Sequence, residues 1–170
     1  MTIDEEQGRL WTIGHETSLL VSTERSSTLT DIKLSEAASQ LMKTRGLGEL
    51  AEKMGIQLLE LGAEYSKATM PALGNRQPLG LVNGGAYLVL GETLGSISAN
   101  VWAHGMDRVA VGIEISASHT RSCKEGTVTA ECRAISLGKT LTVHEIICRD
   151  DAGERLSTVR ITNLIRDRKP

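Results

Sequence analysis

From Val109 onward apolar residues alternate with polar or small ones, the period of a half-buried strand. Val109, Val111, Ile113, Ile115 and Ala117 alternate with Ala110, Gly112, Glu114, Ser116 and Ser118. Val128, Ala130, Cys132 and Ala134 alternate in the same way with Thr127, Thr129, Glu131 and Arg133. Further strands are predicted over about Leu141–Arg149 and Leu156–Ile165, joined by a turn within RDDAGER. Short turns and no intervening helix predict an antiparallel meander of these strands.

Upstream the period lengthens. Gly84 to Ala103 reads as one helix whose apolar residues, Tyr87 to Leu90, Leu94, Ile97, Ala99, Val101 and Trp102, fall on nearly every face. Such a helix is expected to be buried all round. Gly91 and Gly95 each weaken it by about 1 kcal/mol relative to alanine, tolerable where something packs closely against its backbone. Pro71–Val82 reads as a long loop and Ile56–Met70 as strand text. Short helices are predicted over Ser35–Arg45 and Leu47–Met54, ended by Gly46 and Gly55. Residues 1–33 mix Ser, Thr and charges with scattered apolar positions and read as a loosely docked extension. The chain thus divides into an extension with a short helix over 1–46 and a folded domain over 47–170. That domain is α+β, a twisted antiparallel sheet curling round a long central helix.

Composition narrows the function classes. Of 170 residues 40% are hydrophobic, enough for a core, but Phe is absent, so Leu, Ile, Val and Ala must fill it. A net charge of -2 and a 2% aromatic content argue against a nucleic-acid or membrane partner. Cys123, Cys132 and Cys148 are odd in number and widely spaced, which fits neither a disulfide framework nor a zinc site. With the acidic start MTIDEEQGRL they point to a reducing cytoplasm and free thiols. No nucleotide-binding glycine loop, nucleophile elbow or metal-ligand spacing is present, so neither metal nor separate cofactor is expected.

One carboxylate breaks the hydrophobic pattern. Between Gln77 and Met106, Glu92 is the only formally charged side chain. A carboxylate in such a segment is kept by partners or by a task. Gly84 and Gly85 stand at the start of the same helix, where backbone N–H groups lack intrahelical partners and the dipole is positive. That terminus can polarise a carbonyl and hold an oxyanion, and glycine lets a substrate approach the backbone. Ser96, four residues after Glu92, shares its face and can bond the carboxylate or a water.

The order of strand, loop, central helix and strands resembles the hotdog fold. Gln77, Pro78, Gly80, Asn83, Gly84, Gly85, Glu92, Thr93 and Ser96 stand at intervals similar to those of its acyl-CoA thioesterases. The resemblance is nearest the branch with the 4-hydroxybenzoyl-CoA and 1,4-dihydroxy-2-naphthoyl-CoA thioesterases (the phenylacetate-degradation thioesterase superfamily). It runs from about Leu47 to Ile165 and includes GIEISASHTRSCKEG. It implies hydrolysis of an acyl-CoA, aryl more than long-chain, with coenzyme A as part of the substrate. Glu92 is then nucleophile or general base, Gly84 the main oxyanion donor, and Gln77, Asn83 and Ser96 positioning groups. Asn83 stands where the family usually has His; it can donate a hydrogen bond but cannot carry a proton. The resemblance also implies that Gly85, His119 and Arg121 meet the substrate or its CoA portion, with Lys139 a weaker candidate for a phosphate. A non-catalytic CoA-ester-binding module and a dehydratase or hydratase on the same fold stay open as alternatives.

Helix geometry adds an assembly. Gly84 and Glu92 are eight residues apart, about 12 Å along a helix, farther than one glutamate side chain spans to a carbonyl held at Gly84. Two antiparallel copies of the helix would each give Gly84 to one site and Glu92 to the other. A homodimer or dimer of dimers, with sites between subunits, is therefore expected, as the resemblance also implies.

Overall fold

The computed structural model describes residues 33, 34 and 36–168; the extension predicted over 1–33 lies, but for Lys33, outside them. Ten elements follow in order: β1 (Lys33–Leu34), α1 (Glu36–Arg45), α2 (Glu49–Lys53), β2 (Gln57–Leu61), β3 (Tyr65–Pro71), α3 (Gly84–His104), β4 (Arg108–His119), β5 (Thr127–Leu137), β6 (Leu141–Arg149) and β7 (Arg155–Asp167). All the strands join one sheet in the order β1-β2-β3-β5-β6-β7-β4. Every pairing is antiparallel except β1 with β2. The sheet wraps α3, which touches β3, β4, β5, β6 and β7. This is the hotdog fold.

Four expectations are corrected. The strand text of Ile56–Met70 is a hairpin, because Gly62–Glu64 turns the chain between β2 and β3. The last four strands are not a simple meander, since β5 pairs with β3 while β4 sits at the far edge beside β7. Residues 120–126 make that crossing possible. Seven residues reach about 23 Å, whereas three strand spacings are about 14 Å. The alternation of β4 also breaks. Gly112 pairs with Asn163 and Glu114 with Thr162, leaving Ile113 as a bulge. Ala110 and Gly112 therefore share the inner face with Ile115 and Ala117, while Val111 and Ile113 stay 38% and 55% exposed.

The fourth correction concerns α3. Leu88, Val89, Glu92, Thr93, Ser96, Ile97 and Asn100 are only half-buried, and their three- and four-residue spacing draws one open stripe. The opposite face is keyed into β7. A Cβ at Gly91 would lie 2.6 Å from Val159 Cγ1, and one at Gly95 would overlap Ile161 Cγ2. The two glycines are there to let the sheet touch the helix backbone. Val128, Ala130, Cys132, Ile146, Cys148, Val159 and Ile161 supply the aliphatic core beneath it. The three cysteines are free and buried, and burial pushes the Cys132 and Cys148 thiols up to about 12.

Candidate active site

A looped segment and a helix terminus are held together at one end of the sheet. Asn75 anchors the loop by donating to Met54 O (2.8 Å) and Pro71 O (2.9 Å). Arg76 and Val82 then bridge across the turn that carries Gln77, and Val82 N–H donates to Cys123 O at 2.8 Å. Asn83 is the N-cap of α3, its Oδ1 accepting from Gly85 N–H at 2.8 Å. Only the oxygen of the amide is used in that cap, so its Nδ2 keeps both protons for donation at the place of the family's His. The cap also takes up the Gly85 N–H. Ala86 N–H bonds Asn83 O, so Gly84 N–H is left without a partner among the described residues. It is the free donor at a positive helix end.

A cavity of about 450 Å³ opens there, walled by Gln77, Leu81, Gly84, Tyr87, His119 and Arg121, among others. His119 reaches the helix start from β4: a Cβ on Gly84 would lie 2.8 Å from His119 Nε2. Ser157, fully buried on β7, donates to Ser118 O (3.3 Å) and lies 3.0 Å from His119 Nδ1. With its own proton so used, Ser157 accepts from Nδ1–H, which leaves Nε2 as the free nitrogen beside Gly84. The Tyr87 ring packs against the imidazole at 5.4 Å between centroids, and burial pushes its phenol up to about 12. Arg121 is exposed and pairs with Glu154 at 2.9 Å.

Glu92 does not line this cavity. It sits two turns further along α3, on the open stripe, where Ser96 Oγ donates to its Oε1 at 3.0 Å. Asn163 Oδ1 lies 3.3 Å from the same hydroxyl. The carboxylate rests on β4, so that a Cβ at Gly112 would meet Oε1 at 2.8 Å. Asn100, one turn beyond Ser96, clips that strand to the helix by exchanging hydrogen bonds with Ala110 (3.0 and 3.1 Å).

One chain therefore gathers Gln77, Gly84, His119 and Arg121, with Asn83 and Gly85 at the rim, and separately pairs Glu92 with Ser96. Lys139 joins neither group. It lies in the β5–β6 turn, where its carbonyl accepts from Arg108 and the neighbouring Gly138 O accepts from Trp102 Nε1, at the other end of α3. Sequence reasoning missed Tyr87, Ser157, Gly112 and Asn163 as site residues. The last left a trace, a polar residue at an inward position between Ile161 and Ile165.

Residues 79–157 match the Thioesterase superfamily. The chain is 35% identical over 127 residues to a proofreading thioesterase of Cronobacter turicensis, covering 74% of this chain and 92% of that one. It is 34% identical over 127 residues to the 1,4-dihydroxy-2-naphthoyl-CoA hydrolase of Escherichia coli, covering 74% and 93%. The chain belongs to the hotdog thioesterase superfamily. A crystal structure of a mutant thioesterase from Pseudomonas aeruginosa superposes on this thioesterase with a TM-score of 0.67 at 32% identity, over 76% of this chain and 91% of that one. A Haemophilus influenzae thioesterase does so with 0.67 at 29%, over 75% and 87%. The chemistry of this thioesterase is thioester hydrolysis, and it is a thioester hydrolase. Among its described residues no helix is long and apolar enough to cross a membrane.

Proposed function

We propose that this thioesterase hydrolyses an acyl-CoA, preferring aryl-CoA to long-chain esters, in sites completed by a second copy of the chain. The observation that carries this is the separation on α3. The unpartnered Gly84 N–H faces a cavity, whereas Glu92 lies outside it on a half-open stripe. In the proposed site the thioester carbonyl oxygen accepts from Gly84 N–H of one chain. Glu92 of the other attacks the carbonyl carbon, or takes a proton from a water that does, and the thiolate of CoA leaves. Gln77 orients the thioester or the water, while Asn83 holds the helix terminus open by capping its neighbour. Arg121, released from Glu154, would meet a CoA phosphate. Coenzyme A enters as part of the substrate, and no separate cofactor is required.

The open surface supports the assembly, a homodimer or dimer of dimers. The stripe that bears Glu92 also carries Leu88, Val89 and Ile97, and the adjoining edge strand exposes Val111 and Ile113. Apolar side chains in that arrangement favour burial against a like surface. The aryl preference draws on the Escherichia coli relative, whose name specifies an aromatic CoA ester. A cytoplasmic setting is in keeping with the free thiols.

Thiol release across a panel of aryl- and alkyl-CoA esters tests the reading. The expected result is the highest kcat/KM with an aryl ester and a loss of about 10²- to 10⁴-fold in Glu92→Gln. Cleavage of thioesters on a carrier protein, with none of CoA esters, would overturn it.

A further inference from the structure

Asn163 is completely buried on the inner face of β7, between Ile161 and Ile165, and an amide there is costly without partners. Its hydrogen-bond partner is Ser96 Oγ at 3.3 Å, and that same hydroxyl lies 3.0 Å from Glu92 Oε1. A hydroxyl has one proton, and an ionised carboxylate can only accept, so the proton belongs to Glu92. Asn163 then meets Ser96 as a donor. A half-turn of the amide exchanges its nitrogen and oxygen without moving the side chain. It places Nδ2, otherwise a buried atom with no partner, against Ser96 Oγ. The result is a directional relay: Asn163 Nδ2–H to Ser96 Oγ, Ser96 O–H to Glu92 Oε1.

Backbone completes the cradle. Gly112 is the cross-strand partner of Asn163, and a Cβ there would lie 2.8 Å from Glu92 Oε1 but 3.6 Å from Oε2. One oxygen is thus fixed between a hydroxyl and a bare strand. No described residue donates to Oε2, which is left to face the carbonyl carbon or the water. We propose that Asn163 is a positioning residue of this thioesterase, acting through Ser96 to hold Oε1 of Glu92 and keep Oε2 as the reacting oxygen. The inference rests on the catalytic role proposed for Glu92.

The test compares Asn163→Leu, Asn163→Asp, Ser96→Ala and the double variant Ser96→Ala/Asn163→Leu, with kcat, KM and a thermal melt for each on the thioester that wild type cleaves best. The relay predicts that Asn163→Leu and Ser96→Ala each lower kcat by about tenfold, the weight of one hydrogen bond, at unchanged KM. It also predicts that the double variant is no slower than the slower single one, because Asn163 acts only through Ser96. In Asn163→Asp the side chain keeps its size, but in its ionised form it can only accept, so that form takes the Ser96 proton away from Glu92 and kcat falls. A kcat within twofold of wild type in Asn163→Leu overturns the relay, as does a double-variant loss equal to the product of the two single losses. Where leucine at 163 prevents folding, Asn163→Ala removes the amide without added bulk and is judged by the same criteria. An inactive Glu92→Gln beside an unaffected Asn163→Leu overturns the relay and leaves the catalytic carboxylate standing. An unaffected Glu92→Gln overturns both.

Discussion

The Glu92 carboxylate lies directly against the backbone of Gly112, with room for no methyl group between them. Gly112→Ala should therefore move the carboxylate while sparing the fold, because the yielding atoms are the end of a flexible side chain. Alanine also suits an extended strand better than glycine does. The expected outcome is a kcat lowered by up to about 10²-fold per ångström of displacement, with the melting temperature held or raised. Unchanged kcat would show that this contact does not set the position of the reacting group.

The proposed division of Gly84 and Glu92 between two sites predicts rescue in mixed assemblies. Co-expressed Glu92→Gln and Gly84→Pro chains form heterodimers half the time, each with one intact and one doubly damaged site. About a quarter of all sites should recover activity. Proline at the first helical position keeps α3 but deletes the donor N–H, and its ring crowds His119 Nε2. Heterodimers purified through two tags and no more active than either parent would rule out the shared site.

Arg121 is not idle in the free protein, since Glu154 holds it at 2.9 Å. If a CoA phosphate must displace that carboxylate, Glu154→Gln should lower KM for CoA esters and leave kcat unchanged. Arg121→Ala should raise KM and weaken its salt dependence. Steady-state kinetics at two ionic strengths decide it, and an unmoved KM in both variants returns the pair to a surface role.

His144 gives the fold a pH dependence. It is fully buried, with Nε2 on Ala63 O at 3.0 Å, and burial holds its pKa below the ordinary 6.5. The unfolded chain therefore takes up a proton that the folded one resists. Stability is unaffected above about pH 6.5 and is lost as pH falls below it toward the depressed folded value. Melts between pH 7.5 and 5.5 should show this loss, and His144→Leu should flatten it. Equal slopes in the two proteins would assign the acid sensitivity elsewhere.

Why some of this was legible in sequence and some was not follows from where the information lies. Glu92 stood out because charge in an apolar run is a local signal, and the helix start at Gly84 was readable from its glycines; that Asn83 caps it came only from the structure. The strand periods were local too, and β4 to β7 were found from them, whereas β1 was not, and β2 and β3 were read as one run across the turn at Gly62–Glu64. The other failures were non-local. Which strand neighbours β4 depends on the reach of residues 120–126 across the sheet, and nothing in the alternation itself reports that. The bulge at Ile113 added one residue to a perfect-looking alternation, hiding the fact that Gly112 and Ile115 share a face. Strict alternation sets Gly112 on the face opposite Ile115, which hides its contact with Glu92. The open stripe of α3 was masked for a related reason: Leu88, Val89 and Ile97 look like core residues whether sheet or partner covers them.

The keying of α3 into β7 has a consequence for how such an enzyme can change. Val159 and Ile161 occupy the notches at Gly91 and Gly95, so the helix can neither slide nor turn relative to the sheet. If sites are shared as proposed, each chain presents Gly84 and Glu92 from a helix that its own sheet holds fast, and the packing of two such chains sets a ruler common to every substrate the enzyme meets. Variation in substrate range must then be written in the parts that do not touch the ruler, the loop that carries Gln77 and the connector of residues 120–126. New acyl groups could be accommodated by inheritance of altered loops alone, with the reaction geometry passed on untouched.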